Sequence, residues 1–353
     1  MRTRAEVDDV RATDAVSTVV VSPEEEHAVV AEALVRHGAT PDDAALQATT
    51  LVEGDLRGHA SHGIRRLPVL VGRLDAGVAV SGVELGLEWR TESALAVDGR
   101  RSLGPVAAHR ALDLILERAA TSGIALASIR NAGHVGMLAP YLERIVASGN
   151  AGIALTVSEA LVHPWGGTTA MVGTNPIGIG IPTLGEPFIL DMSTSEVSVG
   201  KIIDHAARGV PIPLGWAIDS NGQPTTSAEA GLQGAMLNFG SYKGSAIATM
   251  IELLAGPLIG DFTSLEAREH DAGANVTPRH GELVIAFNPE TFLGGDAEAN
   301  IQRAEKLFEA ITGQGARLPS QRRYEARARS LASNSVTIPR KLYDDIVAMY
   351  ERP

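Results

Sequence analysis

The chain contains no cysteine among its 353 residues. That excludes disulfides, thiolate metal sites and a cysteine nucleophile together. No apolar run reaches the length of a membrane span, and the opening "MRTRAEVDDVRATDAVSTVV" lacks an uninterrupted hydrophobic signal core. Cytoplasm is therefore the expected compartment. Positive charge is short: the net charge of -12 argues against nucleic acid or an anionic membrane, both of which demand a basic face. A small anionic substrate remains compatible, because the charge of a site is local. A dinucleotide fingerprint is missing too. The nearest match to Gly-x-Gly-x-x-Gly, "GIGIPT", has Thr183 at the third glycine and runs through Pro182, so a standard Rossmann turn is rejected. The P-loop and His-Glu-x-x-His patterns are absent, and no ligand cluster calls for a metal.

What is present is an ordinary globular composition, 44% apolar and 20% charged, in a chain long enough for two or three lobes. "SPEE" supplies Ser22 as N-cap, Pro23 in the first turn and Glu25 at the third position, so a helix is expected to Gly38. "TPDD" repeats the logic at Thr40 and Pro41 for a second helix to about Leu56, and a third is expected from Ile64 to Asp75. "ELGLEWR" and "SALAVDG" alternate like strands. "GPVAAHRALDLILERAATSG" reads as an amphipathic helix stopped by Gly123. "IALASIR", "AGIALTV", "NPIGIGIP", "PFILDMS" and "GELVIAFNP" read as strands, and "WAIDSNGQPT" as a turn-bearing pair. Helices are expected at 138–149, 243–259 and 296–312.

Strands thus cluster in the middle and helices at both ends. The expectation is an α/β fold with a mixed central sheet and one helical lobe built from both termini. Residues 1–21 are expected to be a flexible leader. Residues 22–77 plus 293–353 would form the helical lobe, 78–130 a small α/β segment, and 131–292 the ligand-binding domain.

Chemistry-bearing residues concentrate in "GHASHGIRR", residues 58–66, with His59, Ser61, His62, Arg65 and Arg66. This is either a solvated helix entrance or a site that holds a small acid and moves a proton. No Gly-x-Ser-x-Gly elbow surrounds Ser61, so nucleophilic catalysis finds little support. Arg66 can offer a two-point grip on a carboxylate. His134, in the glycine-flanked loop "NAGHVG", follows a strand and can present its ring at a sheet end, or simply face solvent. "GTNPIG" (173–178) is tight punctuation around Thr174. "DMSTS" (191–195) places small hydroxyls at a strand end, and "GSYKG" opens a helix with Lys243, an arrangement that suits phosphate.

In their order, "GHASHGIRR", "RNAGHVG", "HPWGG", "GTNPIGIGIP", "ILDMSTS", "GKI", "GWAIDSNGQPTT" and "YKG" resemble the malate/L-lactate dehydrogenase-like oxidoreductases over about residues 22–350. That family includes ureidoglycolate, sulfolactate and diketogulonate enzymes and cyclic imino-acid reductases. The resemblance implies a non-Rossmann nicotinamide fold and a homodimer with the site near its interface. It implies His62 as proton donor with Ser61 beside it, Arg66 and Thr174 as substrate contacts, and His134 as acid/base or substrate contact. It also places Gly136, Ser158, Met192, Ser193, Thr194 and Lys243 against NAD or NADP. Leu70 stands where many members carry a tyrosine, and Ser320–Gln321 where many read Gly-Glu. Lys201 matches the dehydrogenase-like members, whereas the imine reductases place an aspartate around that point. Arg322 and Arg323 suit either a 2′-phosphate or an exposed helix start.

The leading expectation is therefore interconversion of a small 2-hydroxy acid and its 2-oxo acid by hydride transfer, with histidine acid/base catalysis. The alternatives are NADPH-dependent reduction of a cyclic imine, pyrroline- or piperideine-2-carboxylate, and a catalytically silent binding protein on the same fold.

Overall fold

The computed structural model describes residues 17–271 and 279–351. Order begins earlier than the capping signal at Ser22 implies. Thr18–Val21 form strand β1, because their β-branched run pairs antiparallel with a C-terminal strand, Thr18 opposite Pro339 and Val21 opposite Val336. Residues 1–16 of the expected leader lie outside the described residues. Ser22 caps α1 (Pro23–Arg36) by accepting from the Glu25 amide, and Thr40 caps α2 (Pro41–Leu56) the same way. The third helix, α3, runs only over Leu67–Asp75. Gly63 and Pro68 split the expected start into two 3-10 turns, Ala60–His62 and Ile64–Arg66. "GHASHGIRR" is therefore an irregular bridge between helices rather than a helix entrance.

The sheet segment follows: β2 (Gly86–Trp89), β3 (Ala94–Asp98), α4 (Gly104–Ser122), β4 (Ile124–Arg130), α5 (Ala139–Ala147), β5 (Ala151–Thr156), β6 (Ile177–Ile181) and β7 (Phe188–Met192). As expected, α4 stops at Gly123, which is left-handed at φ 78°. Next come α6 (Val199–Ala207), the short strands β8 (Ala217–Ile218) and β9 (Pro224–Thr225), α7 (Ala228–Gln233), β10 (Ala235–Met236), α8 (Tyr242–Ala255) and α9 (Ser264–Asp271). Helix α8 is shorter than its apolar run because Pro257 cannot donate, and Pro257–Ile259 close as a separate 3-10 turn. The chain ends with β11 (Glu282–Phe287), α10 (Pro289–Leu293), α11 (Ala297–Thr312), α12 (Gln321–Ala332), β12 (Val336–Pro339) and α13 (Arg340–Glu351).

Seven strands form one mixed sheet in the order β2-β3-β4-β11-β5-β6-β7. Only β3 and β4 run parallel, and β11 lies antiparallel between β4 and β5. Helices α4 and α5 bury Ala111, Ile115, Leu142 and Ile145 against one face, where Ala127, Ile129, Ala154 and Val284 meet them. Helix α8 covers the other face, with Ile251 and Ala255 on Leu155 and Val157. This three-layer arrangement is the mixed α/β fold expected.

A second apolar core joins α1, α2 and α3 to β12 and α13 through Val30, Leu34, Leu51, Leu67, Ile338 and Ile346. This is the helical lobe built from both ends. Leu70 belongs to this core, 7% exposed. The stretch 297–312 does not join the lobe. Helix α11 stacks Phe308 on Phe188 beside β7, and Glu305 accepts from the Leu184 amide. Arg57 ties lobe to sheet: its buried guanidinium bonds Glu143 of α5 through both terminal nitrogens and Glu53 of α2, which also holds Arg327 of α12.

Candidate active site

The sheet registers bring one set of loops to a single edge. Glu282 at the start of β11 lies opposite both Ile129 near the end of β4 and Thr156 at the end of β5. Leu155 pairs with Ile177, which pairs with Met192. Consequently the segments 131–136, 157–160, 173–176, 193–195 and 279–281 all leave the sheet on the same side. The 58–66 bridge packs onto this edge from the helical lobe.

His62 and His134 meet there, from opposite components of the fold. Their rings stack with centroids 5.6 Å apart and planes inclined by 28°. His62 Nδ1 lies 3.1 Å from Ser61 Oγ, so these neighbours do touch, within one 3-10 turn. His134 is fixed more firmly. The Gly136 amide donates to its Nδ1 at 3.0 Å, which places the imidazole proton on Nε2 when the ring is neutral. Gly136 is left-handed, φ 82°, and a Cβ there would lie 2.9 Å from Thr50 of α2. Its observed task is to turn the loop and orient His134. Tyr141 pins the same loop by donating to the Val135 carbonyl.

Both rings are held uncharged at neutral pH. Burial first, then the charges of Arg66 and His59, push the His62 pKa down to about 3. Burial, Arg66 and His62 keep His134 well below the usual range. Arg66 is half-buried and makes no hydrogen bond or ion pair with the protein among the described residues. Its guanidinium fork is open.

Three residues complete the cluster that sequence reasoning did not assign. His280 packs edge-on against His134, centroids 5.7 Å apart. Glu159 Oε1 lies 3.6 Å from His280 Nε2, within ion-pair reach but too long for a hydrogen bond. Burial would raise the Glu159 pKa, but attraction to His280 and Arg66 outweighs it and holds the carboxyl at about 2. His59 stands edge-on to His62 at 6.5 Å. Burial, then Arg323, Arg322, Arg57 and Lys201, depress its pKa to about 4. The cluster is thus a row of four imidazoles flanked by one arginine and one carboxylate. His59 was visible in the motif. His280 and Glu159 become legible only once β11 is known to lie between β4 and β5.

Around this row lie the other expected contacts. Ser158 Oγ accepts from the Thr174 amide and sits 3.3 Å from Thr174 Oγ1, both side chains remaining partly accessible. Met192 and Ser193 are partly accessible at the end of β7. Thr194 differs: it is fully buried, and both its amide and its hydroxyl donate to the Thr174 carbonyl. Its side chain braces the 174 turn and offers nothing to a ligand. Lys243 is exposed in the first turn of α8, near the 193–195 loop because Phe239 donates to the Thr194 carbonyl. Helix α6 docks its first turn on the site, since a Cβ on Gly200 would lie 2.7 Å from that of Ser61, and carries exposed Lys201.

The C-terminal departure is also structural. Ser320 is left-handed, and its hydroxyl reaches the Ile189 carbonyl. Arg323 is buried and donates to the carbonyls of Asp191 and Ile189, clamping α12 to β7. It is not free to meet a 2′-phosphate. Arg322 remains exposed. Among the described residues no group of His, Asp and Glu is arranged to hold a metal ion, and no single helix is long and apolar enough to cross a membrane.

Residues 21–347 match the profile of the malate/L-lactate dehydrogenase family. The chain belongs to that family. It is 44% identical over 337 residues to Delta(1)-pyrroline-2-carboxylate reductase 2 of Burkholderia multivorans, covering 95% of this chain and 99% of that protein. It is 45% identical to the Delta(1)-pyrroline-2-carboxylate/Delta(1)-piperideine-2-carboxylate reductase of Pseudomonas aeruginosa, over 90% of this chain and 95% of the other. Among solved structures, delta1-piperideine-2-carboxylate reductase from Pseudomonas syringae superimposes with a TM-score of 0.87 at 31% identity, covering 94% and 100%. The family member described here is accordingly an oxidoreductase. The leading expectation of a 2-hydroxy acid, toward which Lys201 tilts only slightly, is less well supported than its cyclic-imine alternative: these relatives carry the names of imine reductases.

Proposed function

We propose that this enzyme reduces a cyclic imine carboxylate, pyrroline- or piperideine-2-carboxylate, to the cyclic 2-amino acid. The observation that carries the reading is an unpaired Arg66 beside two stacked neutral imidazoles, in a chain so similar to reductases of that name. In the overall change, carbon 2 gains a hydride, the ring nitrogen gains a proton and the C=N double bond becomes single. A nicotinamide cofactor supplies the hydride when bound.

The residues divide the remaining work. Arg66 holds the carboxylate by two parallel bonds and so fixes the orientation of carbon 2. His62 and His134 stand where a proton must be held or passed, and the Nε2 proton of His134 points away from Gly136. Glu159, ionised at neutral pH, balances the positive charge of Arg66. The accessible hydroxyls of Ser158 and Ser193, with Lys243 at a helix N-terminus, suit the ribose and pyrophosphate of a dinucleotide, while Thr174 stays a substrate contact. Their gathering at one sheet edge makes the fit.

Purified protein should oxidise NADPH or NADH with pyrroline-2-carboxylate or piperideine-2-carboxylate at a kcat/KM at least 10-fold above that with pyruvate or oxaloacetate. Turnover of the oxo acids alone would return the assignment to hydroxy-acid chemistry. Absence of any cofactor-induced shift in Tm would favour a silent binding protein.

A second copy of the chain is the expected partner. Tyr242, Met250, Leu253 and Leu258 form an exposed apolar row along α8 and its following turn, 43% to 72% accessible. Sedimentation should give about twice the monomer mass, and Met250→Glu with Leu253→Glu should return the monomer. A monomeric wild-type protein would discard this reading.

A further inference from the structure

Beneath the His62 turn lie two carboxyl groups with no function in the chemistry described so far. Glu26, on α1, is 0% exposed, and among the described residues no amide, hydroxyl or cationic group donates a hydrogen bond to either of its carboxyl oxygens. Its polar neighbour is the carboxyl of Asp55, on α2. Asp55 in turn accepts the Ile64 amide at 2.6 Å, at the start of the second 3-10 turn. The approach is close, for a Cβ on Gly63 would overlap the Asp55 carboxyl. One residue earlier on α2, a Cβ on Gly54 would lie 2.6 Å from the His62 carbonyl oxygen. The backbone on both sides of His62 is therefore seated directly on α2, with Asp55 as its polar anchor.

Two buried carboxylates in contact repel, and among the described residues no ion pair neutralises either of them. A single shared proton resolves this: one carboxyl donates to the other, and the remaining acceptor oxygen is left for the Ile64 amide. We propose that Glu26 is a positioning residue, holding one proton against Asp55 so that Asp55 clamps the Ile64 amide and fixes the turn that carries Ser61, His62 and Arg66. Glu26 does not touch substrate; it acts through Asp55.

The groups facing the pair agree with this. Among the described residues, Arg65, on the turn, acts on Asp55 alongside Glu26, and Asp55 acts on Glu26. From α13, Tyr343 directs its hydroxyl to Glu25, not to Glu26. Burial, then Asp55, raises the Glu26 pKa to about 10. The shared proton is thus retained throughout the neutral range and lost only in strong alkali.

Glu26→Gln keeps a donor to Asp55, whereas Glu26→Leu keeps the shape and removes it. Amide hydrogen exchange over residues 59–66 and kcat report the clamp separately, the first without reference to any substrate. Glu26→Gln should leave both within about 3-fold of wild type. Glu26→Leu should speed exchange of the Ile64 amide at least 10-fold relative to the rest of α1 and α2, and lower kcat with cofactor affinity unchanged. A folded Glu26→Leu protein with wild-type Ile64 exchange and kcat would overturn the proposal, as would equal losses in both variants. Should Glu26→Leu fail to fold, the wild-type turn should still lose Ile64 protection above about pH 10, after correction for base-catalysed exchange, and Glu26→Gln should not. Identical pH profiles would overturn it equally.

Discussion

His62→Ala is expected to lower kcat by about 10²- to 10⁴-fold, the usual contribution of a positioned acid–base group. Cofactor affinity should stay within a few-fold, because Ser158, Ser193 and Lys243 approach from the sheet side and do not depend on the imidazole. The loss should fall on kcat more than on KM, since Arg66 retains its open fork. Steady-state kinetics with a fluorescence titration of the cofactor separate the two. A variant that keeps wild-type kcat would remove His62 from the chemistry. The depressed pKa adds a signature. His62 stays neutral down to about pH 3, so it contributes no acid limb between pH 5 and 7. It does affect stability: the unfolded imidazole binds a proton near its ordinary value of 6.5 while the folded one does not, so stability falls as pH drops from about 6.5 towards about 3.

Arg66→Lys should raise KM for the imine carboxylate about 10- to 100-fold, with a smaller effect on kcat. An ammonium keeps the charge but loses the planar, two-point geometry, and a charged hydrogen bond is worth roughly 1.5–3 kcal/mol. Half-burial sharpens the effect, since water competes poorly at this depth. The expected order is wild type, then lysine, then alanine, measured as kcat/KM on the same substrate. An unchanged KM in the lysine variant would show that the carboxylate is held elsewhere.

The periodic parts of this chain were legible before any coordinates. Ser22 and Thr40 cap their helices as their side chains require, Gly123 ends α4, and the strands from Ile124 to Met192 follow their alternation. His62, Arg66 and His134 were recognisable from local chemistry and motif order, and the structure brings them together. What local reasoning missed depends on distant pairing. Thr18–Val21 look like the end of a loose leader until Val336–Pro339 supply the partner strand. His280 and Glu159 are unremarkable in sequence, and only the insertion of β11 between β4 and β5 sets them beside His134. Arg323 suited either a 2′-phosphate or an exposed helix start, and burial against β7 makes it a clamp instead. Thr194 likewise followed hydrogen-bonding needs of the 174 turn that its neighbours in sequence do not announce.

The pairing of β1 with β12 has a consequence for how the enzyme comes into being on the ribosome. The bridge bearing His62 is synthesised early, yet the helices beneath it are closed by contacts from the last tenth of the chain, Glu53 with Arg327 and Glu25 with Tyr343, separated by 274 and 318 residues. Contacts of such span are slow to form and arrive last. The sheet can assemble before Arg327 and Tyr343 have been made, but the helices beneath the bridge close only with them, so a chain cut ahead of Arg327 is expected to show no turnover rather than partial activity.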